Sequence, residues 1–154
     1  MKYFTKEWYA NARSEKDFTD AFGKYLTERK KNFPNEPKLF SFIDQLHDVT
    51  VTKVSCMKND FIISLDNECF GLKGFTDVIC IDATVLKKEF ESNDLELDWL
   101  YSEIYPSHKG YELHIMLLES EPLELIIDCS DIKFASSGYD LSEEDILNIH
   151  FFKN

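Results

Sequence analysis

Between Val49 and Phe134 the chain repeats apolar and polar residues with a period of two, in stretches such as Phe61-Ile-Ile-Ser-Leu-Asp66 and Leu95-Glu-Leu-Asp-Trp-Leu-Tyr-Ser-Glu-Ile-Tyr105. Side chains alternate faces along a strand, so this pattern restricts the region to a half-buried sheet. The candidate strands are 49–57, 60–66, 76–85, 96–105, 110–119, 122–129 and 131–135. Lys58-Asn-Asp60, Pro106-Ser-His-Lys-Gly110 and Glu119-Ser-Glu-Pro122 are hairpin-sized gaps with turn-forming residues, so their flanking strands should pair antiparallel. Leu95, Leu97, Trp99 and Tyr101 are expected on one face, and Tyr111, Leu113, Ile115 and Leu117 likewise. Met116 and Leu118 break the second alternation, which predicts a strand covered on both sides.

Upstream the period is helical. Ser14-Glu-Lys-Asp17 has the form of a capping box, Phe18, Ala21, Phe22, Tyr25 and Leu26 follow at helical spacing, and Arg29-Lys-Lys31 suits the negative end of the helix dipole. Pro34 and Pro37 break that helix. Leu39, Phe42, Ile43 and Leu46 then form a short amphipathic turn. A helical piece of this size has too small a core to stand alone, so it should roof the sheet. After Ala135-Ser-Ser-Gly138, the Ser142-Glu-Glu-Asp145 cap precedes either a short helix or a final edge strand.

The fold expected is therefore α+β within a single domain, 1–154. It comprises a helical layer over 1–46, an antiparallel sheet over 47–135 and a terminal helix or edge strand over 136–154. The sheet should be a bent meander of about six or seven strands, with a partial barrel as the extreme of the bend. Thirteen Phe, seven Tyr and two Trp suit a core of large flat rings.

Formal net charge is −12. Such a field repels phosphate backbones and anionic lipid, which argues against nucleic acid and membranes as partners and is compatible with a basic protein, although solubility is the plainer reading of it. Cys56, Cys69, Cys80 and Cys129 show no C-x-x-C spacing and read as reduced thiols, three of them within strand patterns. A charged opening without an apolar leader core points to the cytoplasm, and no apolar run approaches the ~20 residues of a membrane span.

Chemistry-bearing residues are sparse. His47 and Asp48 join the last helix to the first strand, and Glu103 and His114 fall on neighbouring strands. Imidazole and carboxylate could serve a small hydrolase or a metal-dependent enzyme, yet no H-x-x-x-H or H-x-E spacing defines a metal site. The structural alternative is that Asp48 caps the turn while His47 covers the helix end. Ser55, Ser64 and Ser102 lack a nucleophile-elbow context, and Gly71-Leu-Lys-Gly74 reads as a loop rather than a phosphate cradle. Trp99, Tyr101, Tyr105 and Tyr111 gather around one hairpin as a candidate binding surface, or as ordinary cross-strand packing. Asp94, Glu96, Asp98, Glu103, Glu119, Glu121 and Glu124 form a candidate docking series for a basic partner, or a solvated face. No cofactor is indicated.

The opening Met-Lys-Tyr-Phe-Thr-Lys-Glu-Trp-Tyr9, Leu46-His-Asp48, Gly74-Phe-Thr-Asp-Val78, Trp99-Leu-Tyr-Ser-Glu-Ile-Tyr105 and Gly110-Tyr-Glu-Leu-His114 together resemble the bacterial family of uncharacterised proteins known as domain of unknown function 4085. Members of that family are generally longer, with an extended charged helical region between the opening motif and the Leu-His-Asp junction. Here residues 10–45 stand in its place, making this a short member. The resemblance implies a bacterial, cytosolic protein and supplies no activity, substrate or catalytic residue. The expectation is a non-enzymatic binding or regulatory module, in its specific form an immunity-type protein masking a basic toxin. The alternative is the enzyme using His47, Asp48, Glu103 and His114.

Overall fold

A computed structural model of the chain describes residues 1–66, 75–136 and 139–140. Cys69, the Gly71–Gly74 loop and the expected terminal helix lie outside the described residues. Three helices precede the sheet. Helix α1 (Lys6–Asn11) starts where the Thr5 side chain accepts the Trp8 amide, and none of its residues is buried. Helix α2 (Glu15–Asn32) opens on the expected capping box, Asp17 N donating to Ser14 Oγ while Ser14 N donates to the Asp17 carboxylate. Helix α3 (Leu39–Asp44) buries Phe40, Phe42 and Ile43.

The strands are β1 (Val49–Met57), β2 (Asp60–Asp66), β3 (Phe75–Ile81), β4 (Thr84–Lys88), β5 (Asp94–Pro106), β6 (Tyr111–Leu118), β7 (Pro122–Cys129), β8 (Asp131–Ser136) and the two-residue β9 (Tyr139–Asp140). Eight strands of five or more residues thus stand where about six or seven were expected. The extra one arises because 76–85 is two strands. Asp82 takes a left-handed backbone (φ 47°), and the chain turns there. Asp82 N donates to Asp60 Oδ1 and Ala83 N to Asn59 O, which anchors the corner to the β1–β2 turn.

All pairings are antiparallel, in the open order β4-β7-β6-β5-β1-β2-β3-β8-β9. A simple meander is corrected by this order: β1-β2-β3 and β5-β6-β7 are each meanders, joined through the β5–β1 ladder. The bend is severe. β3 and β4 stand near opposite ends of the order, yet only Asp82 and Ala83 separate them in the chain, and only Ser130 separates β7 from β8. Ser130 N donates to Ile81 O at this corner, which fastens the β7–β8 junction to the end of β3 in a strongly curled open sheet.

The interior of the curl holds the main core, with Val51, Ile63, Val78, Trp99, Ile115 and Ile127 all essentially inaccessible. From α3, Phe42 meets Phe134 of β8 at 4.4 Å and Phe40 meets Tyr111 of β6 at 5.5 Å. Cys80 and Cys129 are buried free thiols in this core; Cys56, expected within an apolar pattern, is exposed, because the end of β1 runs beyond its covered stretch.

A second, aromatic cluster forms on the outer face of β5 and β6 beneath residues 1–4 and α2, around Phe4, Ala21 and Tyr25. Met116, directed outward by alternation, is fully buried, as its broken pattern predicted. Arg29 of α2 ties the helical layer together. Its guanidinium, 2% exposed, bonds both oxygens of Asp44 (2.8 and 2.9 Å) and Glu36 Oε2 (2.8 Å) and lies over the Tyr25 and Phe40 rings at 5.3 and 5.6 Å. Burial opposes the Arg29 charge, but the Asp44 bonds outweigh it and hold the proton more firmly than usual. Burial draws the Asp44 carboxyl upward against the pull of Arg29; two-point bonding identifies the pair as ionic.

Candidate functional site

One irregularity in β5 organises the outer face. The β5–β6 register shifts between Trp99 and Tyr101, so Leu100 is an extra residue and Tyr101 turns to the opposite side from Trp99. The expected shared face of Leu95, Leu97, Trp99 and Tyr101 is therefore broken at Tyr101. Trp99 is in the core, 1% exposed, and belongs to no surface. Tyr111 faces the interior with Phe33 (5.8 Å) and Phe40, and Tyr105 lies outward against Tyr25 (6.4 Å) and His114 (5.2 Å). The four hairpin aromatics do not make one binding surface, because strand alternation and the bulge divide them between two faces.

Tyr101 instead joins rings from the helical layer. Phe4 stacks on it at 4.7 Å, Trp8 meets it edge-on at 5.3 Å, Phe18 lies at 5.6 Å, and the His47 ring stacks at 5.2 Å. Phe18 keeps about a third of its surface exposed. Beside α1 this ensemble opens into a groove of about 480 Å³, lined by Trp8, Tyr9, Arg13, Ser14, Phe18 and Tyr101. A second groove of about 540 Å³ lies between α1 and α2, with Lys2, Glu7, Asp17, Asp20 and Lys24 on its walls. Helical spacing places Phe18 and Phe22 on the packed face of α2; Phe22 packs there as expected, whereas Phe18 remains exposed at the edge of the cluster.

His47 Nδ1 lies 2.5 Å from Leu100 O, and since a carbonyl only accepts, Nδ1 carries the hydrogen. That bond satisfies part of the β5 edge left open beyond the last β1–β5 pair, Val49 with Trp99. Nε2 then points toward Asp48 Oδ1 at 3.4 Å. Asp48 takes a left-handed backbone (φ 65°) and its amide donates to Trp99 O. Its carboxylate is exposed and approaches His47, so the expected capping of turn donors is corrected. Burial raises the Tyr101 phenol above its ordinary value, and the nearby Tyr9 and Asp48 add to the rise.

Glu103 and His114 are direct cross-strand partners farther along the same face. Glu103 is fully buried. Its Oε1 accepts the amides of Tyr3 (2.9 Å) and Phe4 (2.7 Å), and its Oε2 accepts the Lys2 amide (2.7 Å) and the Tyr105 hydroxyl (2.5 Å). Burial first, then Glu103, pushes the Tyr105 phenol well above its ordinary range. His114 lies 2.6 Å from Glu112 Oε1 through Nε2, while its buried Nδ1 has no partner. Burial holds the His114 imidazole below its ordinary value. The structure thus brings Glu103 and His114 together, and places His47 with Asp48 at the bulge. Among the described residues, no group of three or more His, Cys, Asp or Glu side chains is arranged to hold a metal ion.

The strap over Glu103, α1 to α3 and the strands through β7 all lie within residues 1–129, which match a family model described as protein of unknown function (DUF4085). The chain belongs to that family. The chain matches no curated protein. No solved structure matches it either. Every residue of the aromatic groove and of the Glu103 anchor falls inside the DUF4085 match, whereas β8 lies beyond it. No helix among the described residues of this DUF4085 member is long and apolar enough to cross a membrane.

Proposed function

We propose that the chain is a non-enzymatic binding module that docks a basic protein on the outer face of β5. The observation that carries this reading is the division of that strand at its bulge. Before the bulge, Asp94, Glu96 and Asp98 are all exposed and carry no ion pair among the described residues; after it, Tyr101 enters a half-buried aromatic ensemble in which Phe18 is exposed. Glu119 and Glu121, exposed in the β6–β7 turn, extend the acidic edge, because Asp98 pairs with Leu118. Unpaired charge beside partly exposed aromatic rings has the composition of an interface rim beside its core. A basic toxin held inactive is the specific partner this covers.

The test is affinity capture from native lysate at low ionic strength, with the wild type and a Glu96→Lys, Asp98→Lys double variant. A stoichiometric basic protein, lost with the variant and with added salt, is the expected result. An acidic partner, or capture indifferent to both changes, overturns the reading.

A further inference from the structure

The molecule already contains one site that holds a guanidinium. Arg29 lies over two aromatic rings, Tyr25 and Phe40, and meets the Asp44 and Glu36 carboxylates. Aromatic faces attract a cation electrostatically, and guanidinium, planar and weakly hydrated, exploits them better than ammonium.

The surface groove beside α1 offers aromatic rings of the same kind, and no cation of the described residues lies over them. Trp8, Tyr9, Phe18 and Tyr101 supply four aromatic rings, and the exposed Asp48 carboxylate stands near the Tyr101 hydroxyl. Arg13 also lines the groove. Its Nη1, however, donates to the Ala10 and Ala12 carbonyls at 2.7 and 3.0 Å, holding it at the end of α1. The exposed Glu96 and Asp98 lie just upstream of the bulge, so the approach is negative. An arginine-bearing chain complements both features, since its guanidinium fits the rings and its charge fits the rim.

We propose that this groove takes an arginine side chain of the basic partner, as the anchor of the interface. The inference rests on the docking reading above and names the point of insertion. Arginine anchors of this kind commonly carry a large part of an interface's affinity.

Two peptides of equal charge separate the groove from the acidic face, one alternating arginine with glycine and the other lysine with glycine. Titrated into the full chain at low ionic strength and followed by calorimetry, the arginine peptide should bind about fivefold tighter than the lysine peptide. In Phe18→Ala, which removes a ring about a third exposed, that ratio should fall to about one. Asp48→Asn keeps a residue type that tolerates the left-handed backbone and should weaken the arginine peptide about threefold. Circular dichroism confirms that each variant folds. Equal affinity for the two peptides in the wild type, a ratio that survives Phe18→Ala, or an arginine-peptide affinity unchanged in Asp48→Asn overturns the groove and leaves the acidic face standing. Binding of neither peptide overturns both.

Discussion

The Glu103 carboxylate, fully buried on β5, accepts the backbone amide of Phe4 at 2.7 Å across 99 residues of sequence. The same carboxylate takes the amides of Lys2 and Tyr3, so one side chain satisfies three consecutive donors and ties the opening segment to the sheet. A buried anion is tolerable here because both oxygens are fully bonded.

Glu103→Gln replaces one acceptor oxygen with a donor that faces either backbone amides or the Tyr105 hydroxyl. The loss should be about 2–4 kcal/mol, with faster hydrogen exchange at residues 2–4. Urea unfolding together with amide exchange checks it. A change under about 0.5 kcal/mol would falsify the anchoring role.

Arg29→Lys retains the charge but loses the planar fork that bonds both Asp44 oxygens and reaches Glu36. Because the site is buried, a destabilisation of about 3 kcal/mol is expected in thermal or denaturant unfolding. Stability equal to the wild type would show that the fork geometry contributes nothing.

Tyr25→Phe removes the hydroxyl that accepts the Ile104 amide at 2.7 Å. That donor lies on the stretch of β5 beyond its β1 partner, so no ladder bond replaces it. Unfolding measurements should register about 1–3 kcal/mol, and exchange at Ile104 should accelerate. Unchanged protection of that amide would contradict the assignment.

His114 makes stability depend on pH. Burial depresses its folded value below the ordinary 6.5, so in the interval between the two the unfolded chain binds more protons. Its contribution is complete above about 6.5 and is lost as pH falls from there toward the folded value. Glu28 acts in a separate window. Hydrogen bonds from Lys2 and Tyr3 lower its carboxyl, so its contribution is present above the ordinary 4.5 and disappears as pH falls below that. Unfolding free energies across this range should show two declines, the upper one absent in His114→Gln. Persistence of the upper decline in that variant would assign it to another group.

Gly110→Ala tests the corner where the β5–β6 turn meets the β7–β8 junction. An added Cβ would lie 2.6 Å from Ser130 O, a backbone atom that cannot swing aside. A loss of about 2 kcal/mol is expected by denaturant titration. A neutral result would mean that the two turns separate at little cost.

Local rules made much of this chain legible from sequence. The capping box at Ser14 and Asp17, the helix break at Pro34 and the period-two strands are determined by neighbouring residues, because backbone donors and alternating side chains act over a few positions. Burial of Met116 could also be read, since it breaks an otherwise polar outer face. The β5–β1 ladder and the bond from Ser130 to Ile81 at the β7–β8 junction could not, because these contacts join segments distant in sequence.

The site divides in the same way. Sequence by itself determined that β5 would carry acidic and aromatic residues in alternation. Only the tertiary structure decided that Leu100 is a bulge, that Tyr101 consequently meets Phe4, Trp8 and Phe18, and that Trp99 is lost to the core. A one-residue slip reverses every later side chain on a strand, and a slip is set by the partner strand rather than by the residue that slips. Glu103 likewise looks like one more solvated carboxylate until three distant amides converge on it.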